Sequence, residues 1–250
     1  MWSDRLPSED PRLDWAPQHD PRSREYPVRR AITEPPEIQP KRWALGSITD
    51  QRREGACVGH GHTTDLMASP KGNFTVDSVT ASAYAAGVYH RAKQLDEWPG
   101  EAYEGTSVLA GAKVMAEREL IRNYYWAFSN DEIRDAVLGI GPVVIGIPWY
   151  ESMYETKANG VVTVGGRMVG GHCLTIFGYH PAMRIFGEPP SDNPAGPTYH
   201  EVFRWRNSWG PGYGRNGNGI VHAADLRSLL ADMGEACVAT GRHRATFVFV

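Results

Sequence analysis

The strongest constraint on the fold is a change of pattern near residue 141. Before it, four segments have helical character: 56–68, 79–95, 107–120 and 131–140. After it, short β-branched or aromatic runs between turn residues predict strands at 143–147, 160–166, 172–180, 201–209, 218–223 and 244–250. A helical half followed by a sheet half predicts an α+β protein with a cleft between two lobes.

The first 42 residues differ in composition from the rest of the chain. They contain eight of the eighteen prolines, eight acidic and eight basic side chains, and few aliphatic ones. Such a segment cannot bury a core of its own, so we predict a proline-rich N-terminal arm at 1–42, with a disordered tail as the alternative. The predicted body is 43–250, with a helical lobe at about 50–140 and a β lobe at about 141–250.

Charge and hydropathy exclude several classes of partner. The net charge is -3, and no run of basic residues could follow a phosphate backbone, so we predict no nucleic-acid partner. No apolar stretch approaches the 18 residues of a membrane span, and the charged start is unlike a signal peptide. We expect a protein without a membrane partner, located in the cytoplasm or in a larger assembly such as a virus particle.

Three cysteines are too few for a disulfide scaffold, and an odd number leaves one thiol free. Cys173 and Cys237 have the character of structural residues. Cys57 follows a glycine-rich turn in DQRREGACVGHGH, at a predicted helix start, where the helix dipole favours a thiolate. Thiol chemistry also needs a histidine and an acceptor that orients it; His172 and Asn207 are the candidates.

Three separated blocks together resemble the papain-like cysteine proteases. They are DQRREGACV, GGHCLTIFGYH and RWRNSWGPGYGRNGNG, and they occur in the order found in that family. A fourth stretch, YEGTSVLAGAKVMAERELI, is similar to bacterial members. The resemblance spans residues 35 to 240 and implies a papain-like two-lobed fold: a helical N-terminal lobe, an antiparallel sheet or barrel, and an active site in the cleft.

The resemblance also implies roles for individual residues. Cys57 would be the nucleophile, His172 the general base and acid, and Asn207 the group that orients the imidazole. Gln51 and the backbone N–H of Cys57 would form the oxyanion hole. The implied function is a cysteine-type peptidase that hydrolyses peptide bonds through a thioacyl-enzyme.

Four further residues match substrate-binding positions of the family: Gly55, Gly105, Gly171 and Trp209. Gly105 and Gly171 lie where relatives shape the second subsite and contact the substrate backbone. Trp209 would also shield the histidine–asparagine hydrogen bond from water. The implied partner is therefore a peptide or protein substrate.

The chain departs from the family pattern at two positions beside the nucleophile. Glu54 stands where relatives have a cysteine, and Val58 where they have an aromatic residue. The arm also lacks the long helical pattern of the family's pro-segment. These departures keep a second reading open: a papain-fold subunit with little or no activity, whose arm contacts a protein partner in an assembly.

No cofactor or metal is predicted. Cys57, His60, His62 and Asp65 form the one cluster with the chemistry of zinc ligands. On a helix, however, side chains two positions apart diverge by about 200°, so His60 and His62 would not face one ion. We therefore expect no zinc site here.

Overall fold

The computed structural model describes residues 8–16, 21–68, 76–96, 104–184 and 198–242. In these ranges the helices are α1 (Cys57–Leu66), α2 (Ser78–Leu95), α3 (Val108–Glu117), α4 (Asn130–Gly139) and α5 (Ala223–Ala231). The strands are β1 (Lys41–Arg42), β2 (Asn123–Trp126), β3 (Val143–Tyr150), β4 (Met168–Arg184), β5 (Thr198–Arg206), β6 (Asn218–His222) and β7 (Glu235–Thr240).

The described strands form one antiparallel sheet in the order β2-β7-β3-β4-β5-β6. Strand β1 pairs with Gly178 and Tyr179 in the C-terminal half of β4. The two ends of this order, β2 and β6, do not pair, so the sheet is open over the described strands. Its centre is the pairing of β3 with β4, in which Ile147 lies opposite His172. The middle of the sheet therefore carries one of the predicted site residues.

Local sequence signals account for the helix starts. Asp77 caps α2, Ser107 caps α3 and Ser129 caps α4, each accepting a hydrogen bond from a backbone N–H of the first turn. Helix α1 has no side-chain cap, and its Gly59 lies so close to the Ala85 carbonyl of α2 that a Cβ atom would collide. None of the helices in the described ranges is long and apolar enough to cross a membrane.

Apolar clusters cover both faces of the sheet. Ile145 and Trp205 belong to the larger cluster, which α4 and α5 complete with residues such as Ile133 and Leu226. On the opposite face, α1 and α3 pack on the sheet around Val144, and this smaller cluster contains Cys57, Cys173 and Cys237. Helix α1 is thereby held between the sheet and α2, with the thiol of Cys57 at its first residue.

The α+β prediction is confirmed, and four helices appear close to their predicted bounds. One strand prediction is wrong: 160–166 forms no strand, and only Val161 makes an isolated bridge, to Ile220. Four of the named elements were not predicted: β1 and β2 in the first half, and α5 and β7 in the second. The strand predicted at 244–250 lies outside the described residues.

Candidate active site

His172 and Asn207 form the best-defined pair of the site. Nε2 of His172 lies 2.8 Å from Oδ1 of Asn207, and both side chains are buried. Oδ1 also accepts a 2.7 Å hydrogen bond from the N–H of Ser208, which fixes the orientation of the amide. Because Oδ1 can only accept, the proton of a neutral imidazole is on Nε2. Nδ1, buried and without a hydrogen-bond partner among the described residues, is then the nitrogen free to accept a proton.

Aromatic rings enclose this imidazole. The ring centroids of Trp149 and Trp209 lie 4.8 Å and 4.9 Å from that of His172. The two indoles also contact each other, with centroids 5.2 Å apart. Water is thus kept from the hydrogen bond to Asn207. Trp149 was not singled out in the sequence, where it lies two residues beyond the strand predicted at 143–147.

Cys57 begins α1 and has no exposed surface. Burial raises the pKa of its thiol to about 12, and the negative charge of Asp14 adds to the effect. The backbone N–H groups of Cys173 and Val58 act in the opposite direction. The thiol of Cys57 is therefore un-ionised in this structure. It lies next to the backbone of Cys173, the residue that follows His172.

Burial also lowers the pKa of His172 to about 4, against the hydrogen bond to Asn207. A neutral thiol and a neutral imidazole result. This differs from the thiolate–imidazolium pair that the family resemblance implies at neutral pH. The physical reason is the removal of water from both groups, since desolvation penalises each charged form.

The side chain of Gln51 already holds a peptide carbonyl. Its Nε2 donates to the carbonyl oxygen of Arg12 at 3.1 Å and to that of Glu54 at 2.7 Å. Its Oε1 accepts a 2.6 Å hydrogen bond from the hydroxyl of Ser208. The amide is thus oriented by a residue that follows Asn207 directly, a link that no single sequence block revealed.

The carbonyl of Arg12 belongs to the N-terminal arm, and residues 8–16 of that arm lie along the cleft. The N–H of Trp15 donates to the carbonyl of Gly171 at 3.1 Å, and the N–H of Ala16 to that of Thr106 at 3.1 Å. The guanidinium of Arg12 stacks over the ring of Trp209 at 4.2 Å. The described arm therefore contacts the body of its own chain; a partner in another protein stays a prediction.

The predicted glycines line the path of this arm. Gly105 has φ +88°, and a Cβ atom there would overlap the carbonyl oxygen of Asp14. A Cβ atom at Gly55 would overlap the carboxylate of the same Asp14. Gly171 contributes its carbonyl to Trp15. All three residues lie against extended backbone.

Trp15 fills a closed pocket beside the cleft. It is 1% exposed, its Nε1 donates a 2.9 Å hydrogen bond to Oε1 of Glu235, and its indole lies against Gly146. The same carboxyl oxygen accepts from the N–H of Val108 at 3.3 Å. Burial raises the pKa of Glu235 to about 8, despite both hydrogen bonds. Glu235 was missed in the sequence because it lies in a strand that was not predicted.

His60 and His62, which follow Cys57 on α1, are both buried in the protein interior. His62 Nε2 lies 3.0 Å from the carbonyl of Val108, and burial lowers the pKa of His60 to about 3. Asp65 pairs with Arg242 at 2.6 Å. Over the part of the chain that the structure describes, no three His, Cys, Asp or Glu side chains are grouped as metal ligands would be.

No protein-family model and no curated protein matches the chain. Solved structures do. Xylellain, a cysteine protease from Xylella fastidiosa, aligns with TM-score 0.63 and 15% identity over 94% of this chain and 98% of its own. Bromelain from Ananas comosus, solved with the E64 inhibitor, aligns with TM-score 0.55 and 13% identity over 82% and 99%.

Digestive procathepsin L 3 of Tenebrio molitor aligns with TM-score 0.54 and 11% identity, over 96% of this chain and 77% of its own. These are structures of papain-like cysteine proteases, and the likeness extends over nearly the whole chain. The resemblance inferred from the sequence blocks is thus confirmed for the fold. The chain has the papain-like fold of the cysteine proteases.

Proposed function

We propose that the chain is a cysteine-type peptidase in which Cys57 attacks the carbonyl of a peptide bond. His172 takes up the thiol proton at Nδ1 and later gives it to the leaving amine, while Asn207 holds Nε2–H. Water then hydrolyses the thioacyl-enzyme. The observation that carries the proposal is the hydrogen bond from Gln51 to the Arg12 carbonyl, because a donor that binds a peptide carbonyl beside Cys57 is what an oxyanion requires.

In this proposal the N-terminal arm covers the cleft in the resting state. The resemblance implies a second substrate subsite around Gly105 and Gly171, and the backbone of Trp15 lies against Gly171. A substrate residue in that subsite precedes the attacked carbonyl, whereas Trp15 follows the Arg12 carbonyl held by Gln51. The backbone of the arm therefore runs in the opposite direction to that of a bound substrate. For this reason the peptide bonds of the arm are not oriented for attack by Cys57.

The proposed resting state accounts for the un-ionised site. Leaving the cleft, the arm would return water to Cys57 and remove the nearby charge of Asp14. Both changes lower the pKa of the thiol, and the return of water raises the pKa of His172 toward its ordinary value. The helix N-terminus and the imidazole could then stabilise a thiolate.

The experiment compares the full chain with a chain lacking residues 1–20, using fluorogenic peptide libraries. We expect turnover chiefly in the shortened chain, and a loss of at least about 1,000-fold in kcat on Cys57→Ala or His172→Ala. Cys173→Ala is the matched control, since it removes a buried thiol outside the proposed mechanism. Activity that survives Cys57→Ala would refute the proposal.

A second candidate function is a papain-fold binding subunit without turnover. The observation that favours it is the complete burial of the Cys57 thiol beneath the arm. It predicts that a folded chain lacking residues 1–20 neither cleaves any library peptide nor reacts with iodoacetamide faster than an ordinary cysteine. Rapid labelling of Cys57 in that chain would count against it.

A further inference from the structure

A second concave site lies on the sheet away from Cys57, His172 and Gln51. It is a cavity of about 750 Å³ between β1, β4, β5, β6 and the turn before β6. Its walls include four arginines and two aromatic residues: Arg42, Arg204, Arg206, Arg215, Trp43 and Phe177. Small-molecule sites commonly have volumes of about 300–1,000 Å³, so the cavity has room for an organic ligand.

The pairing of the strands brings these arginines together. Arg204 and Arg206 are two positions apart on β5 and project from the same face, opposite Trp205 of the larger core cluster. Arg42 comes from β1, which pairs with β4 beside β5, and Arg215 from the turn that leads into β6. Residues far apart in the sequence thus form one positively charged wall.

No acidic side chain balances this charge within the described ranges. None of the four arginines takes part in a salt bridge there. Arg206 is only 9% exposed; its Nε donates to Oδ1 of Asn218, and its Nη1 is buried without a partner in the same ranges. Among the residues that the structure describes, the hydrogen-bond partner of Arg204 is the sulfur of Met183. An unpaired buried guanidinium is costly unless a ligand supplies the acceptor.

The positive potential persists at neutral pH. Burial lowers the pKa of Arg204, and repulsion by Arg42 and Arg215 lowers it further. Burial lowers the pKa of Arg206 to about 10, which still leaves it protonated at pH 7. The chain as a whole has a net charge of -3, so four arginines around one cavity are a local concentration of positive charge.

We propose that this cavity binds a small anion carrying two or more phosphate groups. Guanidinium groups bind phosphate through paired N–H donors, and several groups in one wall favour a ligand with several anionic centres over a single dianion. Trp43 and Phe177 also line the cavity, so its wall is not purely charged. The site is independent of the peptidase proposal, because no residue of the proposed mechanism lines it.

Calorimetric titration of the full chain with inorganic tripolyphosphate in 150 mM NaCl tests this site. We expect saturable binding of one tripolyphosphate per chain. The double variant Arg42→Gln/Arg215→Gln, at two exposed positions, is expected to bind at least tenfold more weakly. Arg227→Gln is the matched control, since Arg227 is an exposed arginine on α5 that does not line the cavity; it is expected to bind within twofold of the parent.

Sulfate at equal ionic strength is expected to bind at least tenfold more weakly than tripolyphosphate. Absence of saturable binding to the parent would overturn the proposal, as would unchanged affinity in the double variant. An equal loss on Arg227→Gln would reduce the effect to general attraction by surface charge, and equally tight sulfate would contradict a polyphosphate ligand. Arg204→Gln, a half-buried position, supplies an independent test of the same wall, and thermal melts check that each variant is folded.

Discussion

The hydroxyl of Ser208 donates a 2.6 Å hydrogen bond to Oε1 of Gln51, while the backbone N–H of Gln51 donates to the Ser208 carbonyl at 2.8 Å. This double link joins the turn before α1 to the segment that follows β5. It leaves the N–H donors of the Gln51 amide directed at carbonyl oxygens, one of them in the arm. In the proposed peptidase, Ser208 is a positioning residue for the oxyanion hole.

Ser208→Ala should therefore lower kcat by about 10- to 100-fold and change KM less than about twofold. Without Ser208 the Gln51 amide is poorly oriented, and the lost hydrogen bond to the oxyanion matters mainly in the transition state. The assay is steady-state hydrolysis by the chain lacking residues 1–20. Ser228→Ala, which removes an exposed hydroxyl on α5, is the control and should leave both constants unchanged. A variant that raises KM alone would instead assign Ser208 to substrate binding.

Trp15→Ala should release the arm. Truncating a buried tryptophan costs about 3 kcal/mol or more, which corresponds to roughly a 100-fold rise in the open fraction. We expect alkylation of Cys57 by iodoacetamide, followed by intact mass, to accelerate by a similar factor in the full chain. Tyr26→Ala, at a side chain 52% exposed, should have no effect.

The number of labels separates arm release from unfolding. Opening of the cleft exposes Cys57 alone, whereas global unfolding exposes Cys173 and Cys237 as well. A single label that is absent in Cys57→Ala supports arm release. An unchanged rate in Trp15→Ala would show that this tryptophan does not hold the arm in place.

Docking of the arm should weaken as pH rises from about 4 to 6. Burial raises the pKa of Asp14 to about 6, and repulsion by Glu104 and Asp10 adds to this. A carboxyl group with a raised pKa binds its proton more tightly in the docked state. The arm therefore docks most strongly below pH 4, the ordinary pKa range of an aspartate. The docking equilibrium constant falls by up to about 100-fold as the pH rises through 6.

Asp14→Asn keeps the shape of the side chain and removes its charge, so the variant should hold the arm equally well at pH 4 and pH 7. The ratio of Cys57 labelling rates, parent over variant, is expected to be near 1 at pH 4 and at least about 10 at pH 7. Taking the ratio at each pH cancels the ionisation of the thiol. A ratio that stays constant would contradict the assignment to Asp14.

The buried pair Asp65–Arg242 should dominate the charge contribution to stability. Its side chains are 4% and 8% exposed and joined at 2.6 Å. Arg242→Met leaves the carboxylate of Asp65 buried and unpaired, at an expected cost of about 3–5 kcal/mol. Arg91→Met breaks an exposed pair with Glu117 and should cost less than about 1 kcal/mol. Urea unfolding of the two variants measures this difference, and equal costs would contradict it.

Local signals explain what the sequence predicted well. Capping residues such as Ser107 act within a few residues, so helix bounds could be predicted directly from the sequence. The strand β7 was missed because EACVAT is buried almost throughout and lacks polar alternation. The segment 160–166 has β-branched residues, but over the described residues its pairing with β6 is limited to the bridge from Val161 to Ile220.

Two features depend on tertiary structure alone. The composition of residues 1–42 predicted an arm, but only the shape of the cleft determines that Trp15 enters a pocket closed by Glu235. The apolar pair Leu13 and Trp15, both buried, was the available signal in an otherwise polar segment. The cavity lined by four arginines could not be predicted from any short stretch of sequence. Its arginines are separated by up to 173 positions and are brought together by strand pairing.

The arm and the cleft it occupies belong to one chain. Their association is therefore unimolecular, and dilution of the protein does not weaken it as it would weaken a separate inhibitor. A flexibly tethered segment commonly has an effective concentration in the millimolar range. A peptide that competes for the cleft must exceed this threshold or bind more tightly than the arm. Cutting the chain between the arm and the body would convert a permanent competitor into a dilutable one.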